Sequence, residues 1–128
     1  MTSSYVNNLR LNEMGTGDES GNWGVVTNTN LTLIADALGF QSFTVANSNA
    51  DDLIIPNGTE TNNEAISLYV KLEGGNQAAT ITLGPNTVKK LWIIENSTSH
   101  VMTLSQGTGD NVILASGVTK MVYANGTG

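Results

Sequence analysis

Apolar side chains recur along this chain with two different periods. Leu31, Ile34, Ala35 and Leu38 return at i, i+3, i+4 and i+7, the spacing that puts side chains on one face of a helix, while Asn30 and Asp36 fall away from it. From Gln41 onward the period is two, that of a pleated strand. The first pattern predicts one short helix within 23–40. Its N-cap is Thr27 or Asn28, unless the helix begins directly after Trp23-Gly24. Gly39 is expected to close it in the left-handed conformation, with Phe40 folding back on the last turn. Leu31, Ile34 and Leu38 are expected to pack on a sheet or on symmetry mates.

The second pattern predicts strands. Phe43 and Val45 share one face, and Leu53-Ile54-Ile55 is a short run ended by Pro56-Asn57-Gly58. Ile66, Leu68, Val70 and Leu72 alternate with Ser67, Tyr69 and Lys71, and Gly74-Gly75-Asn76 reads as a hairpin turn leading to a returning strand over 79–83. Residues 89–95 hold Leu91, Trp92, Ile93 and Ile94. A strand apolar on both faces is a central strand or one covered by a neighbouring subunit. Short strands follow over 101–105, 111–115 and 118–124. The expected fold is therefore mainly β: an extended N-terminal arm (1–22), one short α-helix (23–40), and an antiparallel β-sandwich or jelly-roll-like domain (41–128). In the arm only Leu9 and Leu11 alternate, with Tyr5, Val6 and Met14 nearby. That is too little to fold alone, so the segment reads as a docking arm that orders against a partner.

Composition narrows the function. With 128 residues, 39% hydrophobic and 12% charged, the chain can build one core. Its net charge of −6 and the scattering of Arg10, Lys71, Lys89, Lys90 and Lys120 argue against nucleic acid as a partner, because phosphate binding needs clustered cations. There is no cysteine, hence no disulfide or thiolate metal site. Neither a signal peptide nor an apolar run of the roughly 20 residues that span a membrane is present, so a soluble protein not exported by the usual signal is expected.

Candidate chemistry is sparse. Gly15-Thr16-Gly17 lacks the preceding strand and third glycine of a dinucleotide turn. His100 is the only histidine and stands near no nucleophile elbow, so a structural place is expected for it. Asn47-Ser48-Asn49-Ala50-Asp51-Asp52 spaces oxygen ligands like the opening of a calcium loop, without its glycine and bidentate glutamate. Asp18, Glu19, Asp36, Glu60, Glu64 and Glu73 show no spacing that pairs them, and the glycosylation-type triplets at Asn30, Asn57, Asn96 and Asn125 are expected by chance in so Asn- and Thr-rich a chain. No catalytic, cofactor or metal residue is assigned, and no enzymatic activity is expected. The residues assigned to a subunit or partner interface are Tyr5, Leu9, Leu11, Trp23 and Trp92. Trp23 fits either a core aromatic beneath the preceding loop or a subunit contact, and Trp92 fits both roles equally.

The run Tyr5-Val6-Asn7-Asn8-Leu9-Arg10-Leu11, then Gly15-Thr16-Gly17, then Asn22-Trp23-Gly24 leading into Thr27-Asn28-Thr29-Asn30-Leu31, resembles the start of tail-fibre and related virion structural proteins of tailed bacteriophages, especially those of marine cyanobacteria and other marine bacteria. Pro85-Asn86-Thr87, Leu91-Trp92-Ile93-Ile94-Glu95-Asn96, Ser105-Gln106-Gly107-Thr108-Gly109 and Lys120-Met121-Val122-Tyr123 resemble the same proteins. The resemblance implies a non-enzymatic, symmetric assembly part of the virion, commonly a trimer, made in the bacterial host cytoplasm and docked to the tail by its N-terminal region. It implies no cofactor and no membrane, and leaves a host surface glycan open as a further partner. Two rivals come from other classes. A capsid decoration or cement protein is also small and β-rich, and a carbohydrate-binding β-module would use an aromatic platform.

Overall fold

A computed structural model describes residues 3–128, so Met1 and Thr2, the first residues of the expected arm, lie outside it. Helix α1 spans Trp23–Ala37, and eight strands follow: β1 Phe40–Val45, β2 Ala50–Ile54, β3 Tyr69–Gly74, β4 Ala79–Gly84, β5 Lys89–Asn96, β6 Met102–Ser105, β7 Val112–Leu114 and β8 Thr119–Asn125. A 3-10 turn, Glu64–Ile66, precedes β3. The chain is mainly β with one helix, as the two periods predict.

The sheets are mixed and mostly parallel, which corrects the antiparallel sandwich or jelly roll expected from sequence. One sheet has the order β1-β3-β5-β8 and the other β2-β4-β6-β7. From β1 to β6 successive strands go to alternate sheets, so each circuit of the chain lays one strand in each; β7 then stays in the sheet of β6 and β8 returns to that of β5. β1, β3 and β5 are parallel neighbours, as are β2, β4 and β6. Only β7 and β8 reverse, pairing antiparallel with β6 and β5 at one end of each sheet. The expected hairpin of β3 with β4 is therefore an arch between sheets. Gly74 (φ 76°) and Gly75 (φ 73°) turn it, and a Cβ at Gly74 would sit 2.9 Å from Thr44 Cγ2 of the preceding circuit.

One apolar cluster joins the inner faces of both sheets. Val70, Leu72, Trp92 and Ile94 come from the first sheet, and Leu53, Ile81, Met102 and Leu114 from the second. Trp92 is fully buried, its Nε1 donating to Ala65 O at 2.8 Å. At the corner after β5, Asn96 is also fully buried. Its Nδ2 donates to His100 O (2.7 Å) and Leu114 O (2.8 Å), and its Oδ1 accepts from Thr98 N (3.0 Å) and Thr98 Oγ1 (2.6 Å). One side chain thus ties the β5–β6 corner to β7.

The helix starts at Trp23, where the expected 23–40 span begins, so Asn22 and neither Thr27 nor Asn28 precedes its first turn. Its end and its packing depart from expectation. It ends with Leu38 N and Gly39 N donating to Ala35 O and Asp36 O, a tightening of the last turn that leaves Gly39 out of the left-handed region. Its buried residues are Leu33 and Ala37, where it meets the 3-10 turn, while Leu31, Ile34, Ala35 and Leu38 face solvent. The regular apolar stripe lies on the side away from this chain's own core.

The segment before the helix is a folded loop and not an extended arm. Ser4 and Glu13 exchange backbone hydrogen bonds, and Asn7 Oδ1 accepts from Leu9 N and Leu11 N. Asn30 of the helix holds both Asn12 N and Asn12 O, Asn8 Oδ1 accepts from Lys89 N, and Arg10 reaches Thr87. Leu9 and Leu11 pack against the main core. Sparse apolar residues suffice because side-chain amides supply the attachments.

A candidate assembly surface

The outer side of the first sheet is apolar. Alternation along each strand points Phe40, Tyr69, Leu91, Ile93, Met121 and Tyr123 outward while Val70, Trp92, Ile94 and Val122 point in. Register then lines these side chains up across the strands: Phe40 opposes Tyr69, Tyr69 opposes Ile93, and Ile93 opposes Met121. Leu91 opposes Tyr123 in the adjoining part of the face. The Phe40 and Tyr69 rings lie 5.5 Å apart, tilted by 41°. Tyr123 is 79% exposed and Met121 66%. Leu38, at the foot of the helix stripe, borders the same shallow depression as Phe40, Tyr69 and Ile93, so the end of the helix adjoins the sheet face.

The next row is charged and self-balanced. Lys71 opposes Glu95, and Tyr69 Oη donates to Glu95 Oε1 at 2.5 Å. That bond to a carboxylate holds the Tyr69 hydroxyl above its ordinary pKa, since ionising it would leave two anions in contact. The second sheet is different outside. Asp52, Thr82 and Ser105 share one row and Thr80 and Thr103 oppose each other in the next, so its centre is rich in hydroxyls, while Ile54 and Ile113 stand 40% and 62% exposed on its two edge strands.

Between the sheet ends is a cleft of about 460 Å³ lined by Leu83, Leu104 and Val122 with Gln106, Asp110 and Asn125 at its rim. Lys90 sits on the inner side of β5, its Nζ 5.1 Å from the centre of the Trp92 ring and donating to Ser67 O. Burial pushes this ammonium down to about 8.

The interface residues expected from sequence are not brought together. Trp92 lies inside the core and cannot touch a partner; its strand, apolar on both sides, presents Leu91 and Ile93 instead. Trp23 is 66% exposed, so it is not a core aromatic beneath the loop. Tyr5 is half-buried against Gly58, where a Cβ would come within 2.6 Å of its ring, and Leu9 and Leu11 are half-buried on the core. Sequence reasoning missed Phe40, Met121 and Tyr123. The signal for the last two was present, since Met121-Val122-Tyr123-Ala124 is apolar at both parities, as β5 is.

The other candidates take structural roles. Asp51 spends its carboxylate on Ala46 N and Asp52 N within the β1–β2 turn. His100 contributes its backbone to the Asn96 corner, and the burial of Asn96 removes it as a sugar acceptor. Asp18 and Glu19 both accept from Ser3 Oγ at the surface. Among the described residues no group of three His, Cys, Asp or Glu side chains is arranged to hold a metal ion, and no helix is long and apolar enough to cross a membrane. Compared with known proteins, the chain matches no protein family, no curated protein and no solved structure.

Proposed function

We propose that this chain is a non-enzymatic structural component of a tailed-bacteriophage virion, a tail fibre or the adaptor at a fibre's base, which docks to the tail through its N-terminal region. The observation that carries the reading is the apolar outer face of the first sheet with Leu38 of the helix beside it. A protein that ends as a monomer rarely leaves so much apolar area in one patch, whereas an assembly part covers it on incorporation. The resemblance of the N-terminal runs to tail-fibre proteins supplies the kind of assembly. The N-terminal docking element is then the folded loop around Val6, which is 72% exposed.

The test is immunogold electron microscopy, with antibody to this chain, on particles of the phage that encodes it. Label confined to the tail is the expected result. Label over the whole shell would replace the reading with a decoration protein, and unlabelled particles would refute a virion role.

A further inference from the structure

The two sheets of this fold share one core but differ outside: the second has hydroxyls at its centre with Ile54 and Ile113 only on its edge strands, while the first is apolar across all four of its strands, and the first sheet's face is the one for which an occupant can be argued. Leu38 of the helix and Phe40, Leu91, Met121 and Tyr123 of the sheet stand 43 to 79% exposed. Taking about 200 Å² for a fully exposed large side chain, these five alone present on the order of 650 Å². That exceeds the roughly 300–600 Å² of the largest apolar patch on a typical monomer and approaches the roughly 800 Å² that each partner contributes to a stable protein–protein interface.

Charge narrows the choice of partner. The chain carries −6 overall, so two copies repel over most of their surface. On the outer parity of the first sheet the charged residues are Lys71, Glu73, Lys89 and Glu95, two of each sign. The face is therefore neutral within an acidic molecule. A basic partner would find no excess of anions there, whereas a copy of the same chain meets no net repulsion and can set Lys71 against Glu95 across the contact. A flat sheet face is also well suited to stacking on its own kind, sheet on sheet at about 10 Å, and a symmetry axis makes one patch its own complement.

We propose that the outer face of the first sheet, extended by Leu38 at the end of the helix, is the surface on which a second copy of this chain packs. This rests on reading that surface as an assembly contact and goes further by naming what covers it. The second sheet stays in water, its Thr80, Thr82, Thr103 and Ser105 hydroxyls solvated.

Sedimentation velocity on the full chain at ~10 µM, where interfaces of this size are populated, tests the proposal. The expected mass is an integral multiple of 13.4 kDa, two or more. Met121→Glu places like charges opposite each other in the contact and should raise the dissociation midpoint about 100-fold or more, since such juxtaposition costs several kcal/mol. Phe40→Ser, a second exposed position, should act in the same direction if Met121→Glu misfolds by circular dichroism. Thr103→Glu on the opposite sheet should leave the mass unchanged. A wild-type chain that stays at 13.4 kDa up to ~200 µM, or one dissociated by Thr103→Glu and not by Met121→Glu or Phe40→Ser, overturns the proposal. The microscopy separates the two readings. A monomer found on labelled tails keeps the virion function and gives the face to another virion protein, while an oligomer absent from particles keeps this contact and removes the virion function.

Discussion

Replacing Asn96 with alanine should be among the most damaging single changes in this protein. The side chain makes four hydrogen bonds in a site with no solvent exposure. Loss of the amide does not orphan all four partners, because the single Thr98 Oγ1 hydrogen, released from Asn96 Oδ1, can turn to His100 O at 3.0 Å. Leu114 O and Thr98 N lose the Asn96 bond outright. An unsatisfied buried group costs about 1–3 kcal/mol, so two of them put the loss at about 2–6 kcal/mol, and the small cavity adds to it. Against a total stability of about 5–15 kcal/mol, this is a large fraction. Urea unfolding at fixed protein concentration, followed by tryptophan fluorescence, measures it. Asn96→Asp should do at least as badly, since it keeps an acceptor, removes both donors and adds a charge in a dry site. A loss below about 1 kcal/mol for the alanine variant, with an unchanged denaturant slope, would refute the idea that this corner holds β7 to the earlier circuits.

Other expectations follow from the same geometry. Lys90 is held at about 8 in the folded protein and near 10.5 when unfolded, so the unfolded chain binds an extra proton between those values and stability should rise with pH across that window. With the half-buried position of Lys90 discounted for screening, the gain from pH 7.5 to 9.5 is about 1 kcal/mol, and Lys90→Met should flatten the melting-temperature profile. Deleting residues 1–18 should lower the melting temperature, because Asn8, Asn12 and Arg10 fasten that segment to the body; an unchanged value would restore the free-arm reading. Ile34→Ala, on the exposed ridge, should cost well under the about 2–5 kcal/mol of a buried site in the monomer, and a loss of that size at low protein concentration would mean the ridge is covered within one chain. Gly74→Val should strain the β3–β4 arch twice, through its φ of 76° and through the approach of Thr44, and lower stability by about 1–3 kcal/mol in thermal unfolding.

The sequence made the elements legible and concealed their partners. Alternation located the strands because inward and outward positions differ chemically, as in Val70 against Lys71 and Ile81 against Thr82. It does not say which strand lies beside which. Gly74-Gly75 turns the chain equally well within a hairpin or between sheets, and only the packing of Thr44 and Val45 against it decides for the arch. The helix pattern points the wrong way for a related reason: its cleanest apolar stripe faces solvent, while Leu33 and Ala37, spaced i and i+4, form a narrower buried side. The N-terminal segment was misread because hydrophobic counting ignores amides, and Asn7, Asn8 and Asn30 do the fastening there.

The path of the chain also bears on how fast it reaches this structure. Phe40 must find Tyr69, and Ala50 must find Thr80, before either of the first two parallel pairings exists. Each of these contacts closes a long loop ahead of any reward, the condition under which folding slows toward milliseconds to seconds. The β6–β7 pairing is much more local, with Leu104 meeting Val112. A nucleus formed at the C-terminal end, growing backward by whole circuits, is therefore the least costly route, and the apolar outer face of the first sheet would be completed last, when β1 docks on β3.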